Sequence, residues 1–374
     1  MPGGRRISAA LAAALAVVVA AEIALDRQAP EPRASAYVVL EPFIALQAPT
    51  RAKRTKVPRP ARRTQSPPTA TRPATVAASL EPDDPLWQVS WSLAKVGAPL
   101  AWRLTTGSPD VIVAVVDTGI DVDHPDLRGA VVPGWDVVNG DANATDDHGH
   151  GTAVAGVIAA RSNNGLGVTG ACWRCSLMPV KVIGADGIGT AADIAEGVRW
   201  AADHGAAIVN MSFVMSGPDA GVASAIDYAR AKGVLVVAAA GNTAGDAPTF
   251  PASYPGVISV TATDPDDRRY EWATHGGWVS VAAPGCSQST MLGGAYGEFC
   301  GTSSSAAFMS GVAALVSSVD AKTRGEVVFS ALATDAVRVG GFVSSGRLDV
   351  AAALQHSWGF PPPAAPPAPR AARD

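Results

Sequence analysis

Apolar residues follow two different periodicities along the chain after residue 82. Val234–Ala240 is apolar at every position, which is typical of a strand covered on both faces of a sheet. By contrast, Ile194 and Val198 stand one helical turn apart and Gly205 follows, which indicates a helix that ends there. The predicted strands are Val111–Val116, Leu177–Ile183, Ile208–Met211, Val234–Ala240, Val257–Thr261 and Trp278–Ala283. The predicted helices are Thr152–Arg161, Ala191–His204, Val222–Lys232, Ser303–Val319 and Val327–Ala333.

Strands and helices that alternate in this way predict a mostly parallel sheet with helices on both faces, in one domain over residues 82–356. Residues 26–81 are rich in Pro, Arg, Thr and Ala, and only Ala36–Leu46 is strand-like, so a linker or pro-segment is predicted there. Residues 357–374 form a Pro-rich tail that cannot pack a core.

The first 25 residues have the pattern of an export signal. Arg5 and Arg6 precede the apolar run Ile7–Ala21, which has the length of a signal-peptide core. Glu22 interrupts the run without a clean cleavage site, and further apolar residues follow it, so an uncleaved membrane anchor is the alternative. No later stretch has 18 consecutive apolar residues. We therefore expect a protein that is secreted or held in the cell envelope, with membrane contact only through that anchor.

Charge is unevenly distributed although the net charge is only −4. Residues 1–80 contain 12 Lys and Arg against 4 Asp and Glu, and the basic stretch Arg51–Arg72 is interleaved with Pro and Thr, as in a solvated segment. The remainder of the chain is acidic. It offers no broad basic face, which argues against nucleic acid as a partner.

The four cysteines are predicted to form two disulfides, because an even number of cysteines in an exported chain favours disulfide bonds. The pairing predicted is Cys172 with Cys175 and Cys286 with Cys300. A zinc site or a redox dithiol is the alternative for the Cys-x-x-Cys pair, although the second pair is spaced too widely for a zinc knuckle.

Four polar residues stand at predicted strand ends or helix starts. Asp117 ends a buried strand, His150 begins a helix, Asn242 follows a strand and Ser303 begins the longest helix. Because ligands of open α/β sheets bind at the carboxyl ends of the strands, these side chains can converge on one edge. Singly, each has an ordinary explanation as a turn residue, a helix cap or a structural histidine.

Together the four residues have the chemistry of acyl transfer. A serine hydroxyl needs an adjacent base, histidine supplies it, and a buried carboxylate orients the imidazole. The amide of Asn242 and the helix start at Ser303 can hold an oxyanion. The chain order Asp, His, Ser occurs in serine peptidases, and no Gly-x-Ser-x-Gly elbow of an α/β-hydrolase is present.

The flanking sequences resemble those of subtilisin-like serine peptidases. The similar blocks are VVDTGID, HGTAVAG, NMSF, AAAGN, FPASYPGVISV, APG and GTS, within a resemblance that runs from about Asp83 to Leu354. Asp84–Leu86 and Gly97–Trp102 resemble the start of the mature enzymes, and Gly346–Asp349 resembles their last helix. The resemblance implies a three-layer α/β sandwich with a central, mostly parallel sheet in a single catalytic domain.

The same resemblance implies a secreted, monomeric serine endopeptidase that cleaves protein or peptide substrates through an acyl-enzyme. Its triad would be Asp117, His150 and Ser303, with Asn242 completing the oxyanion hole. Substrate would bind along Ser212, Phe213, Val214, Ala240 and Gly241. Asp126 matches a family calcium ligand, and Ser162–Val168, with Asn164, resembles the loop that supplies further oxygens; an ordinary Asn-Gly turn is the alternative.

This sequence departs from the family pattern at three places. Ala153 replaces a second histidine, Val214 replaces a glycine of the substrate cleft, and Ser304–Phe308 replaces a segment that normally contains proline. The usual compact prodomain is not visible in the sequence. A catalytically impaired binding protein of the same fold, or an esterase, remains the alternative function.

Overall fold

The computed structural model describes residues 36–40, 45–47, 80–320 and 323–358. The predicted signal segment, most of the predicted linker and all but the first two residues of the predicted tail lie outside the described residues. Within the described ranges, no helix has both the length and the apolar character needed to cross a membrane.

A parallel sheet forms the middle layer. Within the described residues, this sheet has seven strands in the order β10-β9-β8-β7-β3-β5-β4, and each neighbouring pair is parallel. These strands are β3 (Ile112–Asp117), β4 (Trp135–Asp136), β5 (Ser176–Lys181), β7 (Ile208–Met211), β8 (Leu235–Ala239), β9 (Ile258–Thr263) and β10 (Val281–Pro284).

Helices cover both faces of this sheet. They are α1 (Trp91–Lys95), α2 (Ala98–Ala101), α3 (His150–Ala159), α4 (Ala191–Asp203), α5 (Ala220–Ala231), α6 (Thr302–Ser317), α7 (Gly325–Thr334) and α8 (Val350–Trp358). Because side chains alternate along a strand, β3 contributes Val113 and Val115 to a core shared with α3 and α6. Its Ala114 and Val116 belong to a second core with α4 and α5. The predicted three-layer α/β sandwich is thereby confirmed.

Most predicted elements are present with shifted ends. The largest error among the strands is at Trp278–Ala283, where the strand begins only at Val281. Trp278 itself lies in a turn before the strand, where its carbonyl accepts a hydrogen bond from the Ser259 hydroxyl. Gly346–Asp349, which resembles the last helix of the family, is not helical. It directly precedes α8, and Arg347 within it forms β-bridges with Ala282 and Val337.

An antiparallel hairpin leads into the nucleophile helix and was not predicted. Strand β11 (Cys286–Met291) pairs with β12 (Ala295–Cys300), and Cys286 lies directly opposite Cys300. Its strands mix polar and apolar residues without clear alternation, so the period-2 signal is weak. The structure has both disulfides, Cys172–Cys175 and Cys286–Cys300.

The strand-like segment Ala36–Leu46 is divided between two sheets. Strand β1 (Tyr37–Val39) pairs with β6 (Ile188–Thr190), and β2 (Ala45–Gln47) pairs with β12. The upstream segment therefore contacts the catalytic domain at two separate places.

The two disulfides should contribute unequally to stability. The Cys286–Cys300 bond joins residues 14 apart in sequence and the Cys172–Cys175 bond residues 3 apart. From the chain entropy of the unfolded state, replacing both cysteines of the longer loop by serine should cost about 3 kcal/mol of unfolding free energy, and the shorter loop about 2 kcal/mol. Urea unfolding of the two double variants measures this. An equal or reversed order contradicts the entropic account.

Candidate active site

A buried carboxylate and an imidazole form the centre of the site. Asp117 is the last residue of β3 and is fully buried, whereas His150 is the first residue of α3. Nδ1 of His150 lies 2.8 Å from Oδ1 and 3.0 Å from Oδ2 of Asp117. Oδ1 also accepts the N–H of Thr118 at 2.8 Å, which fixes the carboxylate. The pairing at Nδ1 directs the other ring nitrogen, Nε2, away from Asp117.

Asp146 holds the start of the histidine helix in place. Its buried carboxylate accepts hydrogen bonds from the backbone N–H groups of His148, Gly149 and Thr152. It also accepts the hydroxyls of Thr118 and Thr152. An acceptor at a helix N-terminus satisfies otherwise unpaired N–H groups and is favoured by the helix dipole. The sequence analysis missed this role because Asp146 lies three residues before the N-cap residue Gly149, outside the position where a capping signal is expected.

Close backbone approach sets the distance between the two catalytic segments. A Cβ on Gly151 would lie 2.1 Å from the carbonyl oxygen of Gly119, so only glycine fits at the second position of α3. The Gly151 N–H donates to the hydroxyl of Thr118 at 2.9 Å. The helix therefore starts directly against the turn that follows Asp117.

A buried lysine lies beside the same turn. Lys181 stands opposite Asp117 in the β3–β5 register and is 1% exposed. Its ammonium donates to the carbonyls of Thr118 and Ile183 and to the carboxylate of Asp147. These acceptors satisfy a charge that would otherwise be costly to bury. Sequence reasoning did not single out this residue.

The nucleophile candidate lies at the start of α6. Ser303 lies two residues after Gly301. The φ of Gly301 is +140°, which glycine adopts readily and which would strain the backbone of other residues. The Ser303 hydroxyl donates to the carbonyl of Ser212 at 2.7 Å, and the Ser212 hydroxyl donates to the carbonyl of Ser303 at 3.1 Å. These reciprocal bonds tie the helix start to the segment after β7.

Asn242 is oriented by the residue that precedes the nucleophile. Its Oδ1 accepts both the N–H and the hydroxyl of Thr302, each at 3.0 Å. The Thr302 hydroxyl in turn accepts the N–H of Gly241 at 2.9 Å. With its oxygen engaged in this way, the amide presents its NH₂ group as a donor beside Gly301.

The candidate catalytic residues share one cleft. A cavity of about 610 Å³ is lined by His150, Asn242 and Ser303. Of the predicted substrate-binding residues, Ser212, Phe213, Val214 and Gly241 line it too. Ala240 is not among the lining residues described; it is fully buried, and its carbonyl accepts the Thr249 hydroxyl. Tyr37, Val39 and Leu40 of the upstream segment also line this cavity.

Comparison with known proteins agrees with this geometry. Residues 108–354 match the model of the subtilase family. The chain belongs to the subtilase family. It is 40% identical to thermitase of Thermoactinomyces vulgaris over 63% of this chain and 85% of thermitase. It is also 40% identical to subtilisin BL of Lederbergia lenta over 61% of this chain and 84% of that protein.

A solved structure extends the similarity to the fold. A protease from Pseudoalteromonas arctica PAMC 21717 superposes with a TM-score of 0.68 at 30% identity, and the match covers 74% of this chain and 99% of that one. This subtilase is accordingly a serine endopeptidase.

Two departures from the family pattern leave the subtilase framework intact. The proline-free segment Ser304–Phe308 is regular helix, with the Ser305 hydroxyl donating to the carbonyls of Ala283 and Pro284. Ala153 is fully buried in the core, and its carbonyl accepts the Ser289 hydroxyl.

The predicted calcium-binding residues lie together, and Asp84 joins them. Asp126 Oδ1 accepts the side-chain amide of Asn164 at 3.1 Å. Asp84, also buried, accepts the N–H groups of Asn163 and Asn164. Burial, and then the charges of Asp126 and Asp84, raise the pKa of the Tyr296 phenol, so both carboxylates lie near that ring.

The donor chemistry of this region fits a hard cation. Within the described ranges, no basic side chain forms an ion pair with Asp84 or Asp126. The described residues also contain no group of three or more His, Cys, Asp or Glu side chains that could hold a metal. Two buried carboxylates without a basic partner nevertheless supply the hard oxygen ligands that suit Ca²⁺.

Val214 lines the cleft beside Gly241. A methyl group placed on Gly241 would lie 3.1 Å from Cγ2 of Val214 and 3.8 Å from Cγ2 of Thr249. The Thr249 hydroxyl donates to the Ala240 carbonyl at 2.7 Å, and Thr249 also lines the cavity. Two branched side chains therefore restrict the space above Gly241.

Val214→Gly should widen this space. We expect kcat/KM for peptides with Phe before the scissile bond to rise about tenfold or more relative to Ala peptides, because each methylene-sized misfit costs about 1–3 kcal/mol. The isosteric Val214→Thr keeps the branch and should leave the ratio unchanged. A wild-type preference for Phe that Val214→Gly does not alter would show that Val214 is not a gate.

Proposed function

We propose that this serine endopeptidase hydrolyses peptide bonds through an acyl-enzyme on Ser303. The observation that carries the proposal is the buried Asp117–His150 pair, of which His150 lines the same cavity as Ser303. In acylation, Ser303 Oγ bonds to the substrate carbonyl carbon and its proton passes to Nε2 of His150. The imidazolium then gives that proton to the leaving amine, and Asp117 stabilises the charge meanwhile.

The tetrahedral intermediate carries its negative charge on the former carbonyl oxygen. The NH₂ group of Asn242 and the backbone N–H of Ser303 are the proposed donors to this oxyanion. The orientation of Asn242 by Thr302 supports this role because the donor is positioned before the charge develops. The N-terminus of α6 adds a partial positive charge at the same place. Water then attacks the acyl-enzyme with His150 as the base.

We also propose that the protein is exported, as a secreted or cell-envelope enzyme acting on protein or peptide substrates. The Arg pair and apolar run at the N-terminus support export, and so do the two disulfides, which persist in oxidising compartments. A monomer is expected.

A structural calcium ion is proposed beside α3. Asp84, Asp126 and Asn164 would hold it, with carbonyl oxygens of the loop 162–168 available nearby. The ion would supply positive charge between two buried carboxylates. It takes no part in the reaction, and its effect would be on stability.

The triad assignment predicts non-additive losses of activity. Ser303→Ala, His150→Ala and the double variant should all fall to a similar floor, since the triad acts as a unit. Asn242→Ala should lose about 10²–10³-fold in kcat. Ser304→Ala removes the neighbouring hydroxyl and should stay active. Peptide and ester turnover are measured together with labelling by an active-site serine probe.

Each alternative function gives a different result in that experiment. Peptidase activity that persists in purified Ser303→Ala would sink the assignment. A wild type that neither labels nor turns over indicates the binding protein, and ester turnover alone indicates the esterase.

Calcium should stabilise the fold. At a free concentration of about 100 times its Kd, the ion should add about 2.7 kcal/mol to the free energy of unfolding. A chelator should lower the Tm of the wild type and of the control Asp141→Asn, whose aspartate is exposed. The chelator should change the Tm of Asp84→Asn and Asp126→Asn only little, because each variant has lost a carboxylate that would bind the ion. A wild-type Tm that is indifferent to the chelator argues against the ion.

A further inference from the structure

The ammonium of Lys181 contacts both backbone segments next to the proposed acid–base pair. Lys181 is the last residue of β5 and stands opposite Asp117, the last residue of β3. Its Nζ donates to the carbonyl of Thr118 at 2.9 Å and to the carboxylate of Asp147 at 2.6 Å. Thr118 directly follows Asp117, and Asp147 lies three residues before His150. One buried charge therefore joins the turn after the aspartate to the loop before the histidine.

Thr118 is the residue through which the lysine reaches the carboxylate. The buried Thr118 donates its N–H to Oδ1 of Asp117 at 2.8 Å. Its hydroxyl donates to Asp146 and accepts the N–H of Gly151. Its carbonyl accepts the ammonium of Lys181. Every polar group of Thr118 is thus held, and the direction of the N–H that fixes Asp117 depends in part on the lysine.

The same side chain closes the end of β5 against the end of β3. The carbonyl of Asp117 accepts the N–H groups of Val182 at 2.9 Å and of Ile183 at 3.2 Å. Nζ of Lys181 then donates to the carbonyl of Ile183 at 3.0 Å. Main-chain bonds and the ammonium therefore act on the same short stretch. Without the ammonium, the segment after β5 and the turn after β3 would lose their shared donor.

The charges of Lys181 and Asp147 act with different strength. The lysine side chain is 2% exposed and that of Asp147 is 50% exposed, so water screens the carboxylate more than the ammonium. A positive charge near His150 disfavours protonation of the imidazole, and a negative charge favours it. The other ionisable groups beside this pair are Asp117, Asp136, Asp146 and His148.

We propose that Lys181 is a positioning residue of this active site. Its ammonium, paired with Asp147, holds the carboxylate of Asp117 and the start of the His150 helix at the spacing that proton transfer requires. Lys181 is not among the lining residues described for the cavity, and it acts through Thr118. This inference rests on the proposed peptidase function, and its test distinguishes the two.

The first experiment separates kcat from KM. Lys181→Met removes the ammonium and keeps an unbranched side chain. We expect kcat for a chromogenic peptide to fall about 10²-fold, because a misplacement of about 1 Å has that effect. KM should stay near the wild-type value, since the substituted side chain lies behind the cleft. Lys181→Arg keeps the charge and the donors, and it should recover most of the lost kcat.

A second lysine–carboxylate pair supplies the matched controls. Lys232 pairs with Asp203 at the protein surface, where both side chains are more than 40% exposed. Lys232→Met and Asp203→Asn make the same chemical changes away from the cleft and should keep the wild-type kcat. Circular dichroism measures the folded fraction of each variant, and kcat is normalised to it.

The second experiment measures the acidic limb of the pH profile of kcat/KM, which reports protonation of the base in the free enzyme. Lys181→Met removes a positive charge, so the limb should move to higher pH by about half a unit. Asp147→Asn removes a negative charge and should move it to lower pH, by less because this carboxylate is half exposed. Lys181→Arg and Asp203→Asn should leave it in place. Shifts of opposite sign do not follow from a loss of packing alone.

The outcomes separate the positioning role from the peptidase assignment. A wild-type kcat in Lys181→Met overturns the positioning role, and so do acidic limbs of Lys181→Met and Asp147→Asn that stay in place or move in the same direction. If Lys181→Met does not fold, Asp147→Asn decides: a limb at lower pH supports the role, and an unmoved limb overturns it. In these cases the active wild type leaves the peptidase assignment standing. If the wild type neither labels with a serine probe nor cleaves peptides, both fall.

Discussion

The parallel direction of three adjacent strands is the constraint on which this active site depends. Strands β3, β7 and β8 are neighbours, so their carboxyl ends lie along one edge. Asp117 ends β3, Ser212 follows β7 and Asn242 follows β8 shortly after its end. Residues far apart in sequence are thereby brought together by the sheet itself, and helices α3 and α6 add His150 and Ser303. The site is rigid because the sheet beneath it is buried on both faces.

Polar networks convert this approximate convergence into defined geometry. The carboxylate of Asp146 accepts hydrogen bonds both from the turn after β3 and from the start of α3, so it joins these two segments. On the other side, the Ser310 hydroxyl donates to Asn210, and the Asn210 amide donates to Ser212, so that α6 is bound to the end of β7 within the protein interior. Such buried groups are costly unless satisfied, and their mutual satisfaction specifies one arrangement.

The sequence predicted the fold class and the candidate catalytic residues because both leave strong local signals. Apolar runs such as Val234–Ala240 indicate buried strands, and Asp117, His150 and Ser303 stand within distinctive flanks. Lys181 and Asp146 were missed because their partners are distant in sequence or are backbone groups. The hairpin at Cys286 was missed because it lacks alternation. The pairing of residues 36–40 was missed for a related reason, since the edges with which this short strand pairs are formed much later in the chain.

Main-chain pairing at strand edges is the physical feature by which this fold can bind extended peptides. The edges at β6 and at Ser216 offer main-chain groups, with which residues 36–40 pair. A protease needs such edges because its substrates share little besides a backbone. The same edges are exposed to whatever strand is tethered nearby, and residues 36–40 are that strand here. Val38 lies in the apolar core beneath this strand, and Ala45–Gln47 pairs again with β12, so the upstream segment is held at two places by main-chain bonds.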